Sequence, residues 1–163
     1  MDWAAIRSTA NWVNLSTPAG LLLAAAAGCR TEPFAGRMLV ATGYRWRLPA
    51  AGAFTVGSVV FLRPQLGSPE RLPELMAHES THATQYALCL GLPFLPLYFA
   101  AAGWSLARTG DPASRNLFER RAGLALGGYV ERPPRPVAPR IAAALRTLTG
   151  AGAALGSRTR RPR

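Results

Sequence analysis

The sequence predicts an α+β protein in which a small antiparallel sheet packs on a helix. Three observations lead there. Two helix-like segments come first, strand-like segments follow between residues 37 and 62, and further helix-like segments close the order. Helices, then strands, then helices is the arrangement of an α+β domain and not of alternating βαβ units. The chain has 163 residues, enough for one compact domain of ordinary size. Hydrophobic residues make up 49% and charged residues 17%, which excludes disorder for the bulk. Two Cys exclude a disulfide scaffold and a four-Cys zinc module, and no repeat of a solenoid period is visible.

Residues 3–14 and 18–28 read as helices, the second with Thr17 as cap, Pro18 at its first position and Gly28 at its end. The stretch AGLLLAAAAGC superficially resembles the end of a lipoprotein signal. Residues 1–18, however, carry one Arg and one Asp where a signal needs a positive region, so a buried Ala-rich helix is expected. Arg37–Thr42 reads as a short strand and Tyr44–Leu48 as a half-exposed one. After a turn at Pro49–Gly52, Ala53–Leu62 reads as the longest strand, with Gly57 marking a bulge or a close backbone approach. Helices are predicted over Pro73–Leu90, Phe94–Arg108 and Asp111–Leu126, the last capped by Asp111 and broken by Gly127-Gly128. From Ala83 to Ala107 there is no charge, a length that can cross a membrane, but Gly91, Pro93 and Pro96 divide it into two helices.

The net charge is +11, and all 19 basic residues are Arg. Residues 132–163 hold eight of these Arg and no acid, leaving 11 Arg against 8 acids in residues 1–131. The reading is therefore a domain over 1–131 and a Pro/Arg-rich basic tail over 132–163, with Ile141–Thr149 a short helix and 150–163 disordered. No nucleic-acid-binding motif accompanies the charge, so no specific nucleic-acid partner is expected. A cytoplasmic location is expected, with membrane association through 83–107 or export as a lipoprotein as the alternatives. The sequence does not indicate an oligomeric state.

The two His are His78 and His82, in His78-Glu79-Ser80-Thr81-His82. A spacing of four puts both imidazoles on one helix face, within reach of one metal ion. Glu79 follows the first His, close enough to act on water at the metal without being a ligand. Chance places two His and a Glu in this pattern on the order of 1 time in 2000. Zn²⁺ suits two imidazoles and one carboxylate, with one position left open. The downstream acids are Asp111, Glu119 and Glu131. Asp111 reads as a helix cap, and Glu131 lies beside Pro133-Pro134. Glu119, among apolar neighbours in a second helix, is the candidate third ligand; pairing with Arg115 or Arg120 is the competing role.

HESTHATQY, followed by NLFERRA, resembles the gluzincin type of zincin metallopeptidase. It is more closely similar to small bacterial zincin-like domains that read H-E-x-x-H-x-x-Q and then N-x-F-E-x-x-A, with a strand A-x-T-x-G-x-x-I before the helix. The resemblance covers about residues 37–129. It implies a zincin-like fold and one zinc per chain, held by His78, His82 and Glu119, with Glu79 as general base. Gln85 falls at the position of the family's glutamine, two turns after His78, where it can support a ligand. Such enzymes commonly use a His or Tyr to stabilise the oxyanion. No His remains here, and Tyr44, Tyr86, Tyr98 and Tyr129 are all candidates.

The function expected is a zinc-dependent peptidase acting on a peptide or protein substrate, which adds along the strand at Phe54–Leu62 while Gly57 lets its backbone approach. The alternatives are a non-catalytic zinc-stabilised interaction module and a basic protein of the membrane surface.

Overall fold

The computed structural model describes residues 2–135. The chain divides into two units, Met1–Arg132 and Pro133–Arg163, and the fold below is that of the first. The helix expected at Ile141–Thr149 and the disorder expected over 150–163 lie outside the described residues.

Asp2 opens the first helix, α1 (Trp3–Val13), its carboxylate accepting from the Ala5 N–H at 3.2 Å. The second helix, α2 (Ser16–Ala26), begins before the predicted Pro18 start. Asn14 forms the entry, its side-chain oxygen accepting from the Ser16 N–H (3.0 Å) and hydroxyl (2.7 Å). Thr17 is therefore not the cap. It lies inside the helix, and its hydroxyl accepts from the Ser58 N–H at 3.1 Å, tying α2 to the sheet.

The sheet has four strands: β1 (Arg30–Phe34), β2 (Met38–Thr42), β3 (Ala53–Val56) and β4 (Val59–Leu62). Their order is β1-β2-β4-β3. β1–β2 and β3–β4 pair antiparallel, whereas β2 and β4 run parallel. The sheet is mixed, which corrects the antiparallel expectation in one pairing: two hairpins lie side by side, and the 43–52 connection carries the chain back to start the second. β1 was not predicted, because RTEPF carries two charges and a Pro and exposes most of its residues. Those are properties of an edge strand, not of a period-2 core strand.

The predicted strand Ala53–Leu62 is the β3–β4 hairpin, reversed at Gly57-Ser58. Gly57 has φ +63°, and a Cβ there would lie 2.3 Å from the Thr17 nitrogen. The close backbone approach is real, but it is to α2 and not to a substrate. Tyr44–Leu48 is not a strand. Tyr44 is buried in edge-on contact with Phe54 and Phe61 (centroids 4.9 and 5.6 Å), and its hydroxyl donates to the Leu48 carbonyl, which curls the segment. Arg63 then pins this connection, donating to the carbonyls of Trp46 (2.7 Å), Pro49 (2.7 Å) and Ala51 (2.9 Å).

The central helix, α3 (Pro73–Leu88), is held by polar contacts on two sides. On the α1 side, buried Arg7 donates to the Ser80 hydroxyl at 2.7 Å and Asn11 to the Ala83 carbonyl at 2.8 Å. On the sheet side, Thr55 meets Glu79. A fourth helix, α4 (Phe94–Thr109), follows the break at Gly91–Pro93. The helix expected from Asp111 to Leu126 contracts to α5 (Leu117–Ala122). Asp111 caps a turn instead, its carboxylate accepting from the Ala113 and Ser114 N–H groups at 3.0 and 2.7 Å. Asn116 starts α5 by accepting from the Phe118 N–H at 3.0 Å. Among the described residues no helix is long and apolar enough to cross a membrane, although α4 exposes Leu97, Phe99, Trp104 and Leu106.

Gly57→Ala forces a side chain into a positive-φ turn already in contact with α2. It is expected to cost at least about 2 kcal/mol, read as a lower urea midpoint with an unchanged slope. An unchanged midpoint contradicts this packing.

Candidate metal centre

On α3, His78 and His82 project from successive turns, and their Nε2 atoms are 3.1 Å apart. Glu119 arrives from α5, its Oε2 3.2 Å from His78 Nε2 and its Oε1 3.6 Å from His82 Nε2. One ligand atom from each of the three lies within 4.8 Å of the others, and all three residues are buried.

The remaining ring atoms decide which nitrogens face Glu119. His78 Nδ1 is 3.0 Å from the Gly123 carbonyl and His82 Nδ1 is 2.8 Å from Gln85 Oε1. The Gln85 amide nitrogen donates to the Phe118 carbonyl at 2.9 Å, which turns its oxygen toward His82. Each Nδ1 thus faces an acceptor and carries the ring proton, leaving the Nε2 lone pairs aimed at Glu119. The Phe118 carbonyl lies in α5 and the Gly123 carbonyl at its C-cap, so the bonds that fix the rings also hold the segment bearing Glu119. Gly127 closes over His78: a Cβ at residue 127 would lie 2.6 Å from His78 Cε1, so any larger residue displaces the ring.

Three lone-pair donors converging in a buried pocket repel one another unless a cation lies among them. Glu119 Oε2 has no hydrogen-bond donor of its own. Burial opposes ionisation of Glu119, but His78, His82 and the Tyr98 hydroxyl, 2.5 Å from Oε1, hold it well below the usual carboxylate range. Burial likewise opposes charging of His82, yet its contact with Glu119 and the nearby Glu79 carboxylate raise its pKa. The donor set therefore fits a divalent metal, and the buried His78–His82–Glu119 group can hold one. Two imidazoles and a carboxylate are within the preferences of zinc.

Glu79 stands beside this group without joining it. It is buried, and Thr55 donates to its Oε2 at 2.7 Å. Burial pushes its pKa up, against the pull of His82 and Thr55. Two cavities open on it. One of about 160 Å³ is lined by Leu66, Leu75 and Gly127, the other of about 560 Å³ by Phe54, Tyr86, Phe94 and Tyr98; both touch Ala53, His78, Glu79 and Tyr129.

Each site residue singled out from the sequence thus sits at this centre: His78, His82 and Glu119 as converging donors, Glu79 beside them, Gln85 behind His82. Arg115 and Arg120 pair with Glu131 and leave Glu119 alone. Thr55, Tyr98 and Gly127 were not singled out. Thr55 lay in the A-x-T-x-G stretch and Tyr98 among four equivalent tyrosines, while Gly127 carried only a helix-stop signal.

Residues 45–88 match the family model of the eCIS core domain, a domain linked to zincin-like proteins. The match takes in His78, Glu79, His82 and Gln85 and ends before Glu119. No curated protein and no solved structure matches the chain.

Metal loaded into the purified protein is expected to be lost in His82→Ala, and the variant is expected to melt lower because a metal bound only by the folded state stabilises it. Gln85→Ala, which frees His82 to rotate, is expected to weaken metal affinity roughly 10- to 100-fold. Competition titration with a chromogenic chelator measures both, and unchanged affinity in His82→Ala contradicts the site.

Proposed function

We propose that the protein is a zinc-dependent peptidase with Glu79 as its general base. The observation that carries this reading is the position of Glu79: buried, tethered by Thr55, adjacent to the three-donor group yet outside it, and facing both cavities. Zinc held by His78, His82 and Glu119 would supply a Lewis acid that polarises a carbonyl and acidifies water. Glu79 accepts the proton of the attacking water and returns it to the leaving amine. Tyr98 keeps Glu119 oriented through its 2.5 Å hydrogen bond.

The sheet edge supports a path for such a substrate. β3 is the last strand in the order, so its outer edge has no strand partner among the described residues. A two-residue hairpin makes Val56 and Val59 a hydrogen-bonded pair, and alternation then turns the N–H and C=O groups of Thr55 and Ala53 away from β4, toward that edge. An extended peptide can add there as a further strand, running past Glu79 from one cavity to the other. The same geometry serves a non-catalytic peptide-binding module, and turnover separates the two.

Glu79→Gln keeps the shape and the Thr55 contact but cannot take a proton. Zinc content by mass spectrometry is expected to stay near the wild-type value, while hydrolysis of a casein-type substrate falls at least ~100-fold. Zinc-loaded wild type without turnover on any peptide, or Glu79→Gln with full turnover, defeats the catalytic reading.

A further inference from the structure

The larger chamber reaches both faces of the sheet around the open edge of β3. Alternation puts Ala53 and Thr55 on the face that packs on α3, where Ala53 joins Val60, Leu62, Met76 and Ala83. Phe54 and Val56 lie on the opposite face, packed with Val59, Phe61, Tyr44 and Ala24 of α2. The 560 Å³ chamber is lined on the first face by Thr55, His78, Glu79 and His82. On the second it is lined by Phe54, Val56, Leu23, Tyr44, Trp46 and Leu48. This second half contains none of the metal donors.

It is an apolar ledge built in advance. Phe54 stacks on Phe61 with centroids 4.5 Å apart and meets Tyr44 edge-on, and the Trp46 ring lies 6.1 Å from that of Tyr44. Hydrogen bonds hold the segment that carries the ledge: Arg63 donates to the carbonyls of Trp46, Arg47 and Pro49, and the Tyr44 hydroxyl to that of Leu48. Yet Trp46 is 47% exposed and Leu48 76%. Two large apolar side chains on a fixed backbone, left unpacked beside an open strand edge, form a surface already ordered for a ligand to bury. Arg45 and Arg47 alternate with them in sequence and do not line the chamber. A charged side chain on the ledge would lose its hydration and gain no partner.

A strand added at β3 fixes what the ledge meets. Residues paired across a strand edge share a face. The peptide residue opposite Thr55 therefore turns its side chain toward the metal centre, and its two neighbours, opposite Phe54 and Val56, turn theirs toward the ledge. We propose that the ledge is a substrate-binding subsite for large apolar side chains at the two positions flanking the residue that faces the metal. The substrate class is an extended peptide segment with apolar residues two apart. This rests on the strand-addition reading of the β3 edge but not on hydrolysis.

The test titrates two capped peptides of one composition, acetyl-Gly-Leu-Ser-Leu-Ser-Gly-amide and acetyl-Gly-Leu-Leu-Ser-Ser-Gly-amide, into the metal-free wild type and into zinc-loaded Glu79→Gln. Only the first can put two Leu on one face of a strand. Trp46 emission is the readout, with Trp46→Phe to assign it. The first peptide is expected to bind at least about 3-fold tighter than the second and to shift Trp46 emission to the blue. Leu48→Ser is expected to weaken the first peptide roughly 3- to 10-fold and to abolish its advantage, with an unchanged melting temperature because Leu48 is exposed. Leu22→Ser, at a similarly exposed position of α2 outside the chamber, is expected to change neither affinity. Equal affinity for the two peptides, no binding of either at millimolar concentration, an unaffected Leu48→Ser, or a Leu22→Ser that weakens binding as much overturns the proposal. Pattern-selective binding in a protein that hydrolyses nothing upholds the ledge and removes only the peptidase reading; turnover without pattern preference does the reverse.

Discussion

The structure depends on placing three lone-pair donors, His78 Nε2, His82 Nε2 and a Glu119 oxygen, together away from water. Such an arrangement is unfavourable by itself, since the groups repel and each loses its hydration. It persists because every other polar atom of the three is engaged. His78 Nδ1 meets the Gly123 carbonyl, His82 Nδ1 meets Gln85, and Glu119 Oε1 takes the Tyr98 hydroxyl. The one atom left over, Glu119 Oε2, has no hydrogen-bond partner and is free to take part in holding a metal ion.

The rest of the fold reads as a frame for α3. Arg7 and Asn11 of α1 reach its outer side through polar bonds, an unusual choice for a buried helix–helix contact. These bonds fix the rotation of α3 about its axis more narrowly than apolar packing does, because a hydrogen bond tolerates little misplacement. Thr55 does the same from the sheet, bonding both the Glu79 carboxylate (2.7 Å) and its backbone carbonyl (3.3 Å). The hairpin that delivers Thr55 turns at Gly57, where β3–β4 presses on α2. A chain of contacts thus runs from the α2 entry through the hairpin to Glu79. By contrast, α4 leaves Phe99 and Trp104 exposed.

Much of the centre was legible in the sequence because a helix of known register converts spacing into direction. His78, His82 and Gln85 are fixed relative to one another by the 3.6-residue turn alone. Glu119 was reachable by elimination among three acids, since Asp111 read as a cap and Glu131 lay beside prolines in a linker, and both are engaged elsewhere. The elements that failed are those decided by tertiary contact. Asp111-Pro112 carried a strong helix-start signal, yet its carboxylate closes a local turn and α5 waits for Asn116. Ala53–Leu62 looked like one strand because only two small residues, Gly57 and Ser58, interrupt its run of β-branched and aromatic residues, and only the approach of Thr17 shows how tightly the reversal at Gly57 is packed. The parallel pairing of β2 and β4 had no local signature, because it is set by how two hairpins meet.

The central claim is that one metal ion is held by two imidazoles and one carboxylate. X-ray absorption at the zinc edge of the loaded protein tests it most directly. The predicted spectrum has a first shell of nitrogen and oxygen only, with the outer-shell scattering of two imidazole rings. A sulfur shell from Cys29 or Cys89, the scattering of one ring, or a protein that retains no zinc would contradict it.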